Sequence, residues 1–203
     1  KKEDIPAVTQ LFTPKWIVRY LVENSVGRLW LETHPDESLR SQWRYYIDQD
    51  PVSQTPPVAS PEEITVLDPC MGSGHILVYA FELLYHIYLS QGYTPSDIPR
   101  RILENNLFGL EIDARATQLA GLALMMKARE YDPKIFEQGV RPAIATVEET
   151  TAACPLQKER YPHLFKLWNT YLGAKNYGSL IVPEGIDPDT AEAELEQLKA
   201  RDN

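Results

Sequence analysis

Apolar positions return along this chain with two periods, and the alternation between them sketches the fold. After a polar lead-in over residues 1–10, Trp16, Ile17, Tyr20, Leu21, Val26 and Leu29 recur at helical spacing. Thr13-Pro14 stands before them, threonine suited to the N-cap and proline to the first helical position. A helix is therefore predicted from about Pro14 to about Leu31, with a short one near Leu39–Tyr46. Pro51, Pro56, Pro57 and Pro61 then leave little room for regular hydrogen bonding and predict a loop. Ile64–Leu67 is short and apolar, the pattern of a strand buried in a parallel sheet. His75 to about Ser90 is apolar nearly all round and predicts a buried helix, ended by Gly92 and Pro95.

The alternation continues. A helix is predicted over Ser96–Glu104 with Ser96 as cap, a strand over Leu107–Ile112 and a helix over Ala114–Glu130 capped by Asp113. Ala143–Val147 reads as a third strand, and Leu156–Tyr171 and Pro188–Lys199 as helices, the last with an acidic face. Strand, helix, strand, helix, strand in this order implies right-handed crossovers and an α/β fold with a doubly wound, mostly parallel sheet. Three segments follow: a helical lead-in with a proline-rich loop (1–60), an α/β core (61–150) and a helical extension (151–203).

Composition narrows the function. At 203 residues and 43% hydrophobic, the chain has enough apolar material for one α/β domain with extensions. Lys and Arg number 20 against 29 Asp and Glu, a net charge of −9, which argues against a free-standing grip on duplex DNA. The two cysteines, Cys70 and Cys154, make neither a disulfide framework nor a zinc spacing, and fit a cytoplasmic setting. No apolar run is long enough to cross a membrane, and the lysine-rich start has no apolar signal core.

The chemistry concentrates in Leu67-Asp-Pro-Cys-Met-Gly-Ser-Gly-His-Ile-Leu77. In an open α/β sheet, ligands sit beyond the carboxyl ends of the strands. Gly72 and Gly74 permit left-handed backbone and clear side chains from that end, and the following helix points its amides and positive dipole end at the loop. A carboxylate suits that end, whereas Asp68 repels a phosphate and suits an ammonium. A ligand carrying both groups fits better than a pyrophosphate. The dinucleotide fingerprint fails because Leu77 stands where its third glycine belongs, and no Gly-Lys-Ser/Thr follows for a Walker loop. The glycines alone fit equally well a tight turn that binds nothing. Leu107-Phe-Gly-Leu-Glu-Ile-Asp113 is a second strand ending in an acid. Glu111 at its tip is placed to accept both hydroxyls of a ribose, with Ile112 against a base. Helix capping or a surface ion pair is the commoner fate of such an acid.

Taken together, these stretches resemble the N6-adenine-specific DNA methyltransferases of γ-class motif order, in particular the BREX (PglX-like) and type IIG-like enzymes of restriction-modification and phage defence. Asp68-Pro-Cys-Met-Gly-Ser-Gly74 is similar to their motif I, Gly109-Leu-Glu-Ile-Asp113 to motif II, and Leu11-Phe-Thr-Pro-Lys-Trp16 to the motif X element. Ala174-Lys-Asn-Tyr-Gly-Ser-Leu-Ile-Val182 resembles a stretch that follows motif III, and the likeness covers roughly residues 10–182. The resemblance implies a Rossmann-like fold that binds S-adenosyl-L-methionine. Phe12, Thr13 and Pro14 would border its methionine end. Asp68, Pro69, Cys70, Met71, Gly72, Ser73 and Gly74 would cradle its amino-acid portion. Glu111 would hold the ribose and Ile112 the adenine, with Thr146 or Glu148 in motif III.

The resemblance also implies what to look for and not find. The family's catalytic tetrapeptide, [NDS]-P-P-[YFW], does not occur here. Pro56-Pro57 lies between Thr55 and Val58 and precedes motif I. The chain is therefore expected to be the cofactor-binding portion of a longer methyltransferase, inactive alone. Its expected partners are duplex DNA in the whole enzyme and the rest of that chain or other defence-system subunits, with no membrane. A non-catalytic interaction module that docks a partner subunit is the alternative. His75 and His86, eleven residues apart on one helix, share a face without sharing a metal. Phe81, Tyr85, Tyr88, Met125 and Met126 read as core.

Overall fold

The computed structural model describes residues 13–48, 58–148, 150, 154–172 and 183–202. They fall into two compact units, Lys1–Val147 and Glu148–Asn203. In the first, one continuous helix, α1, runs through Lys15–Val22, a π-helical turn Glu23–Gly27 and Arg28–Thr33. Its start departs from the expected cap. Pro14 holds the N-cap position with ψ 140° and no side chain caps the helix, so Thr13 stands one residue too early. The π turn carries Glu23 inward, where it accepts hydrogen bonds from Tyr79 Oη and Tyr45 N, both at 2.6 Å. Helix α2 (Glu37–Gln42) follows, capped by Asp36.

Among the described residues the sheet has three parallel strands in the order β1 (Val66–Asp68), β2 (Leu107–Glu111), β3 (Ala143–Thr146). Helix α3 (His75–Ser90) connects β1 to β2 by way of the short α4 (Ile98–Arg101) and a π turn, Ile102–Asn106. Helix α5 (Ala114–Tyr131) connects β2 to β3. Both crossovers step in one direction, so right-handedness puts α3 and α5 on one face of the sheet. The fold is α/β and Rossmann-like, and these strands form one arm of a winding. Helix α3 is buried at Leu77, Ala80, Phe81, Leu83, Leu84, Tyr85, Ile87 and Tyr88, as its all-round apolar pattern predicts. The opposite sheet face differs from expectation. Leu67 is 60% exposed and Ala143 and Ala145 are exposed, because among the described residues the layer of helices covers only one side.

The register of β1 against β2 depends on Asn106, the last residue before β2 and fully buried. Its Nδ2 donates to Pro61 O (2.8 Å) and Ile64 O (2.7 Å) on the segment entering β1, and its Oδ1 accepts from Tyr88 Oη (2.9 Å). If this side chain goes, Ile64 O and Tyr88 Oη lose their partner together, while Pro61 O keeps the Ile64 N–H. The second unit contains α6 (Pro162–Thr170) and α7 (Pro188–Asp202). Helix α6 begins six residues later than Leu156 because Pro162 is tolerated only in a first turn. Glu194 of α7 accepts from His163 N (3.2 Å) and Leu164 N (2.9 Å) at the start of α6.

Asn106→Ala is expected to destabilise the chain by about 2 kcal/mol or more, since each of the two buried groups left unpaired costs about 1–3 kcal/mol. Tyr88→Phe, which strands one acceptor, should cost about 1 kcal/mol. Urea unfolding followed by circular dichroism checks both.

Candidate functional site

Strand β1 ends at Asp68 and β2 at Glu111, and parallel pairing sets Asp68 against Gly109, so both acids lie at the carboxyl end of neighbouring strands. The segment after Asp68 folds back over β2. Met71 N donates to Leu110 O at 3.0 Å, and the Met71 side chain packs into the core. That path exists because Gly109 is bare. A Cβ there would collide with Met71 Sδ and stand 2.9 Å from Leu77 Cδ1. The two loop glycines do different things. Gly72 (φ +55°) would present an added Cβ to nothing within 4 Å, whereas one on Gly74 (φ +83°) would come within 3.0 Å of Ala120 Cβ. Gly74 lets α3 start tightly against α5; Gly72 leaves the outer side of the bend clear.

Asp68 is buried, 8% exposed. Its Oδ1 accepts from Cys70 N at 3.2 Å, the turn that Asp-Pro favours. Its Oδ2 is shielded from solvent and has no hydrogen-bond partner. Burial pushes the Asp68 carboxyl above the usual carboxylate range, the Cys70 amide opposes this, and the charge of Glu111 adds to it. Glu111 is better satisfied. Its Oε2 accepts from Gly72 N at 2.7 Å, and its Oε1 from Ile112 N (2.8 Å) and Asp113 N (3.1 Å). Ile112 is 82% exposed beside it. Asp113 caps α5 as expected, Oδ1 accepting from Arg115 N at 2.8 Å.

The remaining expected residues lie as follows. Pro69 and Cys70 are exposed and Ser73 is half-buried on the bend. Thr13 and Pro14 are exposed. Thr13 lines a cleft of about 340 Å³ with Lys15, Arg19, His75 and Tyr79, to which Asp68, Gly72 and Glu111 do not contribute. Phe12 and the stretch 174–182 lie outside the described residues. Thr146 pairs in register with Glu111 and donates to Thr117 Oγ1 at 3.0 Å, while Glu148 is exposed. Among the described residues no cluster of His, Cys, Asp and Glu is placed to hold a metal.

Gly109 stood in the sequence only as the first residue of the motif II stretch, and Ala120 and Asn106 were not singled out. A glycine inside a strand pattern signals close backbone approach, so Gly109 was readable. Ala120 and Asn106 carry no local signal.

The donor set fits the amino-acid end and nucleoside of S-adenosylmethionine. An orphaned, buried carboxylate oxygen at Asp68 matches an ammonium, the empty side of Gly72 gives room, and an exposed isoleucine offers an apolar face. No side chain caps the first turn of α3, whose positive dipole end faces the bend.

Residues 7–139 match the family described as N-6 DNA Methylase. The chain is 42% identical over 238 aligned positions to the adenine-specific methyltransferase BrxX of Escherichia coli O9:H4 (strain HS), covering 98% of this chain and 20% of that protein. It is 47% identical over 162 positions to the adenine-specific methyltransferase PglX of Lacticaseibacillus casei (strain Zhang), covering 73% of this chain and 14% of that protein. Among solved structures, the ATP-dependent Type ISP restriction-modification enzyme LlaBIII bound to DNA aligns with TM-score 0.47 and 18% identity, over 99% of this chain and 10% of that one. The chain thus spans a fifth or less of the length of these relatives.

A raised carboxyl pKa means the folded chain binds the Asp68 proton more tightly than the unfolded chain does, so ionisation weakens the fold as pH rises through the ordinary carboxylate range and beyond. Asp68→Asn is expected to be more stable than the parent at pH 7, by about 1 kcal/mol or roughly 2–4 °C in Tm. The gap should close as pH falls below the ordinary carboxylate range. Calorimetric melting across pH checks it; a pH-independent gap contradicts the burial argument.

Proposed function

Because this chain belongs to the N-6 DNA methylase family, we propose that it is the S-adenosylmethionine-holding portion of a DNA adenine-N6 methyltransferase of the restriction-modification or BREX phage-defence type. The observation that carries this reading is the buried Asp68 with one oxygen unpartnered, next to a bare glycine bend and one strand from Glu111. Residues 61–150 would form the cofactor-holding core, 1–60 the segment that closes over the methionine end, and 151–203 an extension toward the rest of the enzyme.

Each residue has a proposed task. Asp68 Oδ2 accepts from the ligand's ammonium, which also supplies the counter-charge that the buried carboxylate lacks. The positive end of α3 faces the ligand's carboxylate. Glu111 accepts the ribose hydroxyls, and Ile112 covers one face of the adenine ring. Thr13 and Pro14 would border the methionine end. The bound cofactor supplies an electrophilic methyl group on a sulfonium. Alignment of that methyl against the acceptor nitrogen, rather than covalent catalysis, is the chain's contribution. In the longer polypeptide the acceptor is adenine N6, taken out of the duplex before transfer. The tetrapeptide that grips the flipped base in this family has no counterpart in these 203 residues, so the chain alone is expected to bind cofactor and not to methylate DNA.

S-adenosylhomocysteine at a hundredfold excess over its Kd should stabilise the chain by about 2.7 kcal/mol. Gly72→Val, which puts a branched side chain into the open side of the bend at φ +55°, should abolish the response; circular dichroism checks that the variant still folds. Differential scanning fluorimetry is the measurement, with NAD⁺ as a ligand expected to give no shift. A parent chain unmoved by millimolar S-adenosylhomocysteine would sink the cofactor reading and favour a module that docks a partner subunit.

A further inference from the structure

Both oxygens of Glu111 are engaged before any ligand arrives. Three backbone N–H groups point at them, those of Gly72, Ile112 and Asp113. A carboxylate has about four acceptor positions. A ribose would ask for two of them, so at least one of the three amides must let go. Ile112 and Asp113 adjoin Glu111 in the chain, and their bonds persist whenever the side chain folds back on its own turn. Gly72 stands 39 residues away, on the loop that would meet the ligand. It is also the bend residue that packing does not hold, since no atom lies within 4 Å of where its Cβ would be.

We propose that Glu111 is a latch for the glycine bend. In the cofactor-free chain its Oε2 holds the Gly72 N–H and keeps that residue in left-handed geometry; as a nucleoside enters, the ribose hydroxyls take over that oxygen and the Gly72 amide is released. Glu111 is then a positioning residue for the loop as well as a ribose ligand. Binding gains hydroxyl-to-carboxylate hydrogen bonds and loses one amide-to-carboxylate bond. The exchange half of this inference rests on the cofactor reading above; the latch itself does not.

The test is amide hydrogen exchange and ¹⁵N-correlated NMR on the labelled 203-residue chain. Without ligand, Gly72 should exchange roughly tenfold or more faster in Glu111→Asp, which keeps the charge but loses the reach, than in the parent. Glu111→Gln, which keeps the reach with a weaker acceptor, should fall between them. The amides of Leu107 to Leu110 should stay protected in all three, which reports that the sheet is intact. Equal Gly72 exchange in parent and Glu111→Asp overturns the latch whatever the ligand does. With S-adenosylhomocysteine added and the Ile112 amide showing that it has bound, the Gly72 resonance should move away from its ligand-free position. An unmoved Gly72 in that complex overturns the exchange. A chain in which no amide responds to the ligand overturns the exchange together with the cofactor reading, and the ligand-free comparison still decides the latch.

Discussion

A missing side chain at Gly109 is the constraint from which the rest of the site follows. The segment leaving β1 has to cross over β2, and it does so where Met71 packs against a strand residue with no Cβ. The Met71 N–H then reaches Leu110 O, and the next residue, Gly72, arrives over Glu111. None of this works unless β1 and β2 are neighbours in one fixed register. Asn106 secures that register by clamping the approach to β1 from the doorstep of β2. A buried amide, a bare strand glycine and a backbone hydrogen bond thus bring two acids, far apart in sequence, to one end of the sheet.

The parts visible in the sequence were those governed by local rules. Helix α3 spans His75–Ser90 because a glycine bend starts it and an unbroken apolar run continues it. Asp113 caps α5 by the ordinary reach of its own side chain. The adjacency of Asp68 and Glu111 followed from the habit of successive βαβ strands to pair. What escaped was tertiary in origin. The Glu111–Gly72 bond joins residues 39 apart, and the π turns at Glu23–Gly27 and Ile102–Asn106 answer to the burial of Glu23 and Asn106 rather than to any helical period. Pro162 is the exception: its signal for a helix start was present in the sequence.

Strand β1 shows how a correct pattern can mislead about burial. Its apolar sequence is that of a strand covered on both sides, yet Leu67 faces outward at 60% exposure because α3 and α5 lie on the same side of the sheet. Val147 and Leu67 are apolar surface of the kind that a second layer would remove from water. The composition therefore describes more packing than the described residues display. That is in keeping with a chain that corresponds to a fifth or less of its relatives' length.

The two acids at the strand tips are not equivalent, and the difference bears on how a ligand is recognised. Glu111 is satisfied by three amides, so a ligand that asks for two of its acceptor positions must displace something already bound. Asp68 is held by a single amide, with its second oxygen shut away from both water and partners, in a chain of net charge −9 and beside another carboxylate. An ammonium entering there relieves a penalty that the free protein carries; a neutral donor relieves less of it, and an anionic group relieves nothing. In the function proposed above, the charge of the ligand would be read at Asp68, where the fold is least comfortable, and its sugar at Glu111, where the fold is already content. On that proposal, nucleotides without an amino-acid tail would be disfavoured at the first of these, because their phosphates would meet a buried, half-partnered carboxylate.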